Sequence, residues 1–247
     1  MKKVKLAIII VNMNTVDLTE DCIKSIYDHK LNFLFEVIVI DNGSNDGSVE
    51  MLKRFDKKYS NFHAIFNDSN TGYAKANNQG IRKAKGQYIL LLNNDTIIHS
   101  NSLQNLVRFA ELTPDAGVVG SKLLNIDGTL QMSCFNFPTI KNAILEYYFG
   151  KKGLFDKFAP PGDKPTTVDS VVGAVFLMTP KAIKRVGILD ERYWAYFEDI
   201  DYCRQCWKHG LKVYYLPESV ITHYHGATFK KMASEAERWK RLIPSSK

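Results

Sequence analysis

The segment from Leu189 to Asp201 reads Leu-Asp-Glu-Arg-Tyr-Trp-Ala-Tyr-Phe-Glu-Asp-Ile-Asp. Three carboxylates, Glu198, Asp199 and Asp201, fall within four positions, directly after a run rich in Tyr, Trp and Phe. Clustered acids repel one another and sit poorly beside aromatic rings unless a positive or protic group lies near. An aromatic wall beside a carboxylate at the start of a helix suits binding a sugar and taking a proton from its hydroxyl. The same acids would also suit a solvated helix N-terminus, where the dipole favours them.

Other residues could supply the rest of such a site. Asp95 closes an apolar run and follows Asn93 and Asn94. A carboxylate there is a natural ligand for Mg²⁺ or Mn²⁺ bridging a diphosphate, since Mg²⁺ often takes only one or two protein carboxylates. It could equally start a turn. Asp41 could accept hydrogen bonds from a pyrimidine N–H or a ribose hydroxyl, or cap the turn Asn42-Gly43-Ser44-Asn45-Asp46-Gly47-Ser48. His223 could complete a metal shell with Asp95, or be a structural histidine. From Asn70 to Gly80, small residues (Ala74, Ala76) are followed by three consecutive amides (Asn77, Asn78, Gln79). That mixture suits contact with a nucleotide, although close packing on a sheet would also explain the alanines. Cys203-x-x-Cys206 with His209 hints at zinc, but no second ligand pair has finger-like spacing, and packing inside a helix is the stronger reading.

These residues need a frame that brings them together. Leu6 to Val11 is a continuous apolar run, as in a strand buried on both faces. Helical periodicity follows in Leu18, Cys22 and Ile26. Val37–Ile40 is a second strand, Val49–Tyr59 a helix, and Phe62–Phe66 a third strand. Tyr73–Ala84 reads as a helix, Tyr88–Leu92 as a strand, and Ser102–Leu112 as a helix closed by Thr113-Pro114. Alternating strands and helices predict an α/β fold with a mostly parallel sheet and helices on both faces. Ligands bind beyond the carboxyl ends of such strands. Asn12 with Asn14, Asp41, and Asn93–Asp95 stand at three of those ends.

The second half changes character. Val118–Gly120 is a short strand, and Lys122–Ser133 turns at Asp127-Gly128 as a hairpin would. Residues 134–168 are irregular, aromatic and bear Pro and Gly, as in a mobile or ligand-shaped segment. Val171–Met178 reads as one strand, Pro180 opens a short helix, and Val213–Leu216 and Val220–Thr222 are late strand pieces.

Composition narrows the class. The chain has 247 residues, 45% hydrophobic and 24% charged, which gives a folded body with a sizeable core. No apolar run reaches the length of a membrane span. The first apolar run is followed by Asn12 and Asn14, unlike a signal-peptide cleavage site. The four cysteines are few and unevenly spaced, which fits a reduced, cytoplasmic setting. Net charge is +7, without the aromatic-interleaved basic motif of an RNA binder, so nucleic acid is not an expected partner. After the first strand stands Asn12-Met13-Asn14-Thr15, with neither G-x-G-x-x-G nor a P-loop, which argues against NAD binding and Walker-type ATP cleavage.

Seven ordered motifs together resemble one family. They are Val11-Asn12-Met13-Asn14; Asp41 through Ser48; Asn70-Thr71-Gly72-Tyr73 with Asn77 to Gly80; Leu91 to Asp95; Leu189 to Arg192; Phe197 to Asp201; and His223-Tyr224-His225-Gly226-Ala227-Thr228. The set resembles the inverting glycosyltransferases of family 2, which have the GT-A fold, and within them the bacterial rhamnosyltransferase-like branch. The resemblance covers about residues 4 to 230. It implies a single GT-A domain over 1–247, with a nucleotide-sugar half (1–115), an acceptor half (116–230) and a basic tail (231–247). It places Asp41, Asn12, Asn14, Gly72, Asn77, Asn94 and Asp95 at the nucleotide. Asp95 and His223 would hold a divalent cation, Mg or Mn, although Asn93 stands where the first acid of the family's metal motif often lies. Asp199 would be the general base, steadied by Glu198 and Asp201, with Trp194, Gly173 and Ala174 shaping the acceptor site. The implied donor is a dTDP- or UDP-sugar, with rhamnose as the sugar implied by the branch resemblance alone, and the implied acceptor is a saccharide or lipid-linked sugar in bacterial cell-surface polysaccharide or glycolipid synthesis. The basic tail would suit a peripheral contact with the inner face of the cell membrane, or equally a packed or frayed C-terminal helix. The substitution at Asn93 keeps a second reading open, a non-catalytic nucleotide-sugar-binding or scaffold protein on the same fold.

Overall fold

The structure is a computed structural model and describes residues 3–224. The motif residues His225-Gly226-Ala227-Thr228 and the basic tail lie outside the described residues. The first elements run β1 (Leu6–Asn12), α1 (Val16–Tyr27), β2 (Phe35–Asp41), α2 (Ser48–Lys58), β3 (Phe62–Phe66), α3 (Tyr73–Lys83) and β4 (Tyr88–Asn93). β1 pairs in parallel with β2 and β4, and β2 with β3. The registers set Asn12 opposite Asp41 and Val11 opposite Asn93. The polar strand ends read from sequence therefore share one edge of the sheet.

Alternation along β1 divides the core. Ile8 and Ile10 pack with Cys22, Ile23 and Ile26 of α1 and Met51 and Leu52 of α2. Ala7 and Ile9 pack on the other face with Ala74, Ala76 and Ile81 of α3. Close approach of α3 explains its small residues, because a Cβ on Gly80 would lie 2.6 Å from Ile9 Cγ2.

The chain continues with β5 (Thr96–Ile98), α4 (Ser102–Leu112), β6 (Ala116–Leu124), β7 (Leu130–Gln131), β8 (Cys134–Phe135), α5 (Ile140–Tyr147), β9 (Thr166–Val168), β10 (Ser170–Val171), β11 (Val175–Met178), α6 (Pro180–Arg185), α7 (Glu198–Lys208) and β12 (Lys212–His223). The main sheet has the order β3-β2-β1-β4-β11-β6-β12-β5. β11 lies antiparallel between β4 and β6. The hairpin expected after Lys122 is present as β6 and β7, with Leu123 opposite Gln131.

Three elements differ from the sequence reading. The strand expected over Val171–Met178 is interrupted, with β10 paired to β8 and only β11 in the main sheet. At the interruption, the Gly173 amide turns to the Asp199 carboxylate, while the Ala174 carbonyl accepts from the Asn93 amide at the end of β4. The irregular stretch 134–168 contains β8, α5 and β9, pieces too short to show a hydrophobic period. Finally, the two late strand pieces are one twelve-residue strand, β12. Pro217 has no amide hydrogen for the ladder, and the register shifts between Leu216 and Val220. Beyond that shift β12 also pairs with β5, setting His223 opposite Thr96.

Candidate active site at the carboxyl edge of the sheet

At the end of β1, the Asn12 amide donates to Asp41 Oδ1 (2.7 Å) and to Ser44 Oγ (3.1 Å). Asp41 Oδ2 accepts from the Ser44 amide at 2.9 Å. Asn12 Oδ1 accepts from the hydroxyls of Thr15 (2.9 Å) and Thr19 (2.6 Å). Asn94 joins this buried network by donating to Thr15 and Thr19, so its side chain is turned inward and fixes the end of β4 on α1. Asn14 takes a positive φ of 51° and accepts from the Asn45 amide at 2.8 Å, tying the first two strand-end turns together. Asn42, buried below it, accepts from Asn67 and from both the amide and hydroxyl of Thr71.

β12 delivers His223 to Asp95. His223 Nε2 lies 3.3 Å from Asp95 Oδ1, and both side chains are buried. The Tyr224 amide donates to the Asp95 carbonyl at 2.8 Å, locking the two chain segments together. Gln131 orients the ring. Its amide nitrogen donates to the His223 carbonyl and to Asn125 Oδ1, which leaves its oxygen 2.6 Å from His223 Nδ1. In the neutral ring the proton therefore sits on Nδ1, and the Nε2 lone pair faces Asp95 and Asn93.

The third part begins at α7. Tyr196 and Phe197 both have φ of 68°, a left-handed conformation that costs bulky residues on the order of 1–3 kcal/mol each. This turn sets Glu198 and Asp199 at the helix N-terminus. Asp199 Oδ2 accepts from the Gly173 amide and Oδ1 from its neighbour Ile200, each at 2.8 Å. The Gly173 carbonyl in turn accepts from the Tyr73 hydroxyl at 3.1 Å, and that hydroxyl lies 3.1 Å from Asn93 Oδ1. An unbroken run of contacts thus joins Asp199 to Asn93, whose amide reaches His223 at 3.5 Å.

Burial raises the affinity of both α7 carboxyls for protons. Glu198 is pushed up to about 8, by burial first and by the Asp199 charge second, and its Oε2 has no hydrogen-bond partner among the described residues. Asp199 is also raised by burial, against which the Gly173 and Ile200 amides and the charge of Lys157 favour its ionised form. Glu198 is therefore the member of the pair that keeps a proton, and Asp199 the one that carries the charge. Burial raises Tyr73 as well, with further contributions from Glu198, Asp199 and Asp95. All three carboxylates surround the Tyr73 hydroxyl closely enough for their charges to be felt there.

Two segments are spliced where α3 begins. Gly72 has φ of 87°, and a Cβ there would lie 2.7 Å from the Trp194 carbonyl and 2.9 Å from its ring. The next amide, of Tyr73, donates to that carbonyl at 2.7 Å. Asn77 bonds its own helix, donating to the Tyr73 carbonyl at 3.0 Å. Asn78 clamps the Leu189 backbone, donating to its carbonyl (2.8 Å) and accepting from its amide (3.0 Å).

Asp201 does not join the cluster. Two residues along a helix are turned about 200° apart, and Asp201 instead accepts from Gln205 and lines a separate cavity of about 210 Å³ with Ile188, Asp190 and His209. Cys203 and Cys206 are buried free thiols, and His209 caps the helix end through Gln205, in keeping with packing rather than zinc. Sequence reading gave no role to Tyr73, Gln131 or Lys157. Tyr73 stood inside a quoted motif, but its partner Gly173 is a hundred residues away.

The profile of glycosyl transferase family 2 matches residues 7–159, and that of glycosyl transferase family group 2 matches residues 88–243. A cholesterol galactosyltransferase of Borreliella burgdorferi is 28% identical over 242 residues, 94% of this chain and 62% of that protein. An N-acetylglucosaminyl-diphospho-decaprenol L-rhamnosyltransferase of Mycobacterium tuberculosis is 25% identical over 76% of this chain and 66% of its own length. The rhamnosyltransferase WbbL of Escherichia coli is 26% identical over 83% of this chain and 78% of its own. The chain thus spans less than two thirds of the first two relatives. Among solved structures, GalNAc-T7 with UDP, GalNAc and Mn²⁺ superposes with a TM-score of 0.69 at 17% identity, over 90% of this chain and 44% of that one. The Pyrobaculum calidifontis mannosyltransferase with GDP-Man and Mn²⁺ gives 0.65 at 17% identity, over 98% and 63%. These likenesses show the GT-A fold. With the family profile covering more than half its length and rhamnosyltransferases among its relatives, the chain belongs to glycosyl transferase family 2, in its rhamnosyltransferase-like part.

Proposed function

We propose that the protein moves one sugar from a nucleoside-diphosphate sugar to an acceptor hydroxyl in bacterial surface-glycan or glycolipid synthesis, inverting the anomeric centre in a single displacement. The observation that carries this reading is the Asp199 carboxylate, held by two backbone amides and linked through Gly173 and Tyr73 to Asn93 beside the Asp95–His223 pair. A raised, positioned carboxylate is suited to accept the acceptor's hydroxyl proton as the oxygen attacks. Glu198 supplies a neutral neighbour, and Lys157 a positive charge that adds to the two amides in favouring the ionised Asp199. Trp194 closes the acceptor side and, through Gly72, meets the nucleotide side.

Asp41, Asn12, Asn14, Gly72 and Asn77 border the proposed donor pocket, with the nucleotide base toward Asp41. Asn94 acts from behind by fixing the end of β4. The Asp95 carboxylate and the Nε2 lone pair of His223 fit a divalent cation, Mg²⁺ or Mn²⁺, that takes its other ligands from phosphate and water. Among the described residues no group of three or more His, Cys, Asp or Glu side chains is arranged to hold a metal, which leaves that share to the donor's diphosphate. Bound there, the cation would neutralise charge on the departing nucleoside diphosphate. The donor we propose is a dTDP-sugar, on the likeness to the rhamnosyltransferase-like branch, with a UDP-sugar as the alternative. The lipid-linked substrates in the relatives' names favour a cytoplasmic enzyme working near the membrane, with the basic tail as a further contact.

The test is nucleoside diphosphate release from a panel of nucleotide sugars, with donor binding measured by calorimetry. Asp199→Asn is expected to abolish transfer and keep donor affinity. Near-normal turnover in that variant would remove Asp199 from the chemistry. Donor binding by the unaltered chain without turnover on a broad acceptor panel would support the scaffold reading instead.

A further inference from the structure

Helix α5 presents its apolar row to solvent. Ile140, Ile144 and Tyr148 are spaced by four, so they share one face, and they are 82%, 44% and 85% exposed. Phe149 follows at 72%. An amphipathic helix of a globular protein normally turns such a row to the core. The element is well terminated at both ends. Thr139 Oγ1 accepts from the Asn142 amide at 3.1 Å, and Gly150, with φ of 66°, closes the last turn with the Lys151 amide on the Leu145 carbonyl.

The charges around this row are mainly positive. Lys141, Lys151, Lys152 and Lys157 are exposed in and after α5. Of the two acids in the same stretch, Glu146 is engaged by the Leu154 amide, and Asp156 is the other. An apolar row bordered by lysines is complementary to an anionic lipid surface, with rings and aliphatic side chains among the acyl chains and ammonium groups among the headgroups. A two-fold pairing of two copies through this face would instead bring like-charged borders together.

The roots of α5 border the candidate site. Before it, the Phe137 amide donates to Asp169 at 2.7 Å. After it, Phe158 pairs with Cys134 through backbone bonds of 2.8 and 2.9 Å, and the Ser133 carbonyl accepts from Val172, next to Gly173. Lys157, one residue before that pair, acts electrostatically on Asp199.

We propose that α5 and its closing turn are an interfacial anchor that lies in the surface of an anionic bilayer, separate from the C-terminal tail, and holds the Gly173–Asp199 edge beside the headgroups. A lipid-linked acceptor would then meet the site without leaving the membrane. The anchor itself does not depend on glycosyl transfer, and its test reads binding alone.

The experiment is co-sedimentation of the full chain with vesicles of phosphatidylcholine and of phosphatidylcholine mixed with phosphatidylglycerol. The unaltered chain should partition onto the anionic vesicles, and the triple variant Ile140→Asp, Ile144→Asp, Phe149→Ser should bind at least about tenfold more weakly. Lys151→Glu with Lys152→Glu should remove the preference for phosphatidylglycerol. The conservative variant Phe149→Trp should show blue-shifted tryptophan emission only on anionic vesicles, a readout that survives if the triple variant folds poorly. The proposal fails if the unaltered chain ignores vesicles, if the triple variant partitions normally, or if the Phe149→Trp emission does not move. It also fails if the unaltered chain is a lipid-free dimer in sedimentation velocity that the triple variant converts to monomer.

Discussion

Tyr73 and Asp199 are held by opposite sides of one residue: the Gly173 carbonyl accepts from the tyrosine hydroxyl at 3.1 Å, and the Gly173 amide donates to the aspartate at 2.8 Å. The interruption between β10 and β11 makes this possible, because Gly173 is released from strand pairing on both sides. A methyl group at Gly173 would come within 3.6 Å of both partners, so nothing bulky fits between them.

Removing the hydroxyl tests that link. Tyr73→Phe leaves the Gly173 carbonyl and Asn93 Oδ1 without their shared donor, a loss of about 1–3 kcal/mol for buried acceptors. Chemical denaturation should show that loss, and steady-state kinetics should show a lower kcat with a smaller change in donor KM. Unchanged stability and unchanged kcat would mean that the hydroxyl positions nothing.

Glu198 makes stability depend on pH. Its carboxyl rises from 4.5 in the unfolded chain to about 8 in the folded one. Between those values the folded state keeps a proton that the unfolded state has released, so stability is full below the lower value and falls as pH rises toward 8. The expected loss is a few kcal/mol across that window. Glu198→Gln should flatten the profile and be the more stable protein near pH 8. It should leave the acidic limb of kcat/KM in place, because Glu198 already carries its proton over the range in which Asp199 ionises. Urea titrations at several pH values check the first expectation, and a pH–rate profile the second.

Gln131 is expected to matter for metal, although it would touch none. Gln131→Ala frees the His223 ring to change tautomer and orientation. Supporting partners of this kind are worth about 10- to 100-fold in metal affinity. Calorimetric titration of Mn²⁺ into the nucleoside-diphosphate complex should show that loss, and chelation should abolish transfer by the unaltered protein. Equal Mn²⁺ affinity in the variant would place the cation elsewhere.

Gly72 and Gly128 form a matched pair. Both have positive φ, 87° and 81°, but a Cβ at Gly128 meets open space while one at Gly72 strikes Trp194. Gly128→Ala should show only the backbone cost, about 1 kcal/mol. Gly72→Ala should lose more, and should also weaken donor binding because the first turn of α3 shifts. Equal melting temperatures and equal donor affinities for the two variants would show that the contact with Trp194 is slack.

The first half of the fold was legible because its signals are local. The β-branched runs of β1 and β2, and the turn residues after them, each declare a strand end within a few positions, and parallel pairing then aligns Asn12 with Asp41 without further information. The second half was less so. β11 inserts antiparallel beside β4, a choice made by partners far away in sequence, and α5 carries its apolar row outward, against the usual rule. The candidate site divides in the same way. Its acids and strand-end amides were visible by type. Asp201 was grouped with Asp199 by proximity in sequence, yet a helix sends neighbours two apart in nearly opposite directions. Gln131 meets His223 across 92 positions, and no spacing rule reaches that far.

β12 changes register between Leu216 and Val220 and still sets His223 opposite Thr96. Side chains on a strand alternate between two faces, so the imidazole's side is decided by whether the count of residues after the shift is odd or even. Surface loops elsewhere can gain or lose single residues at little cost. Here a change of one would flip the ring to the far face of the sheet, and only insertions or deletions in twos would keep it beside Asp95.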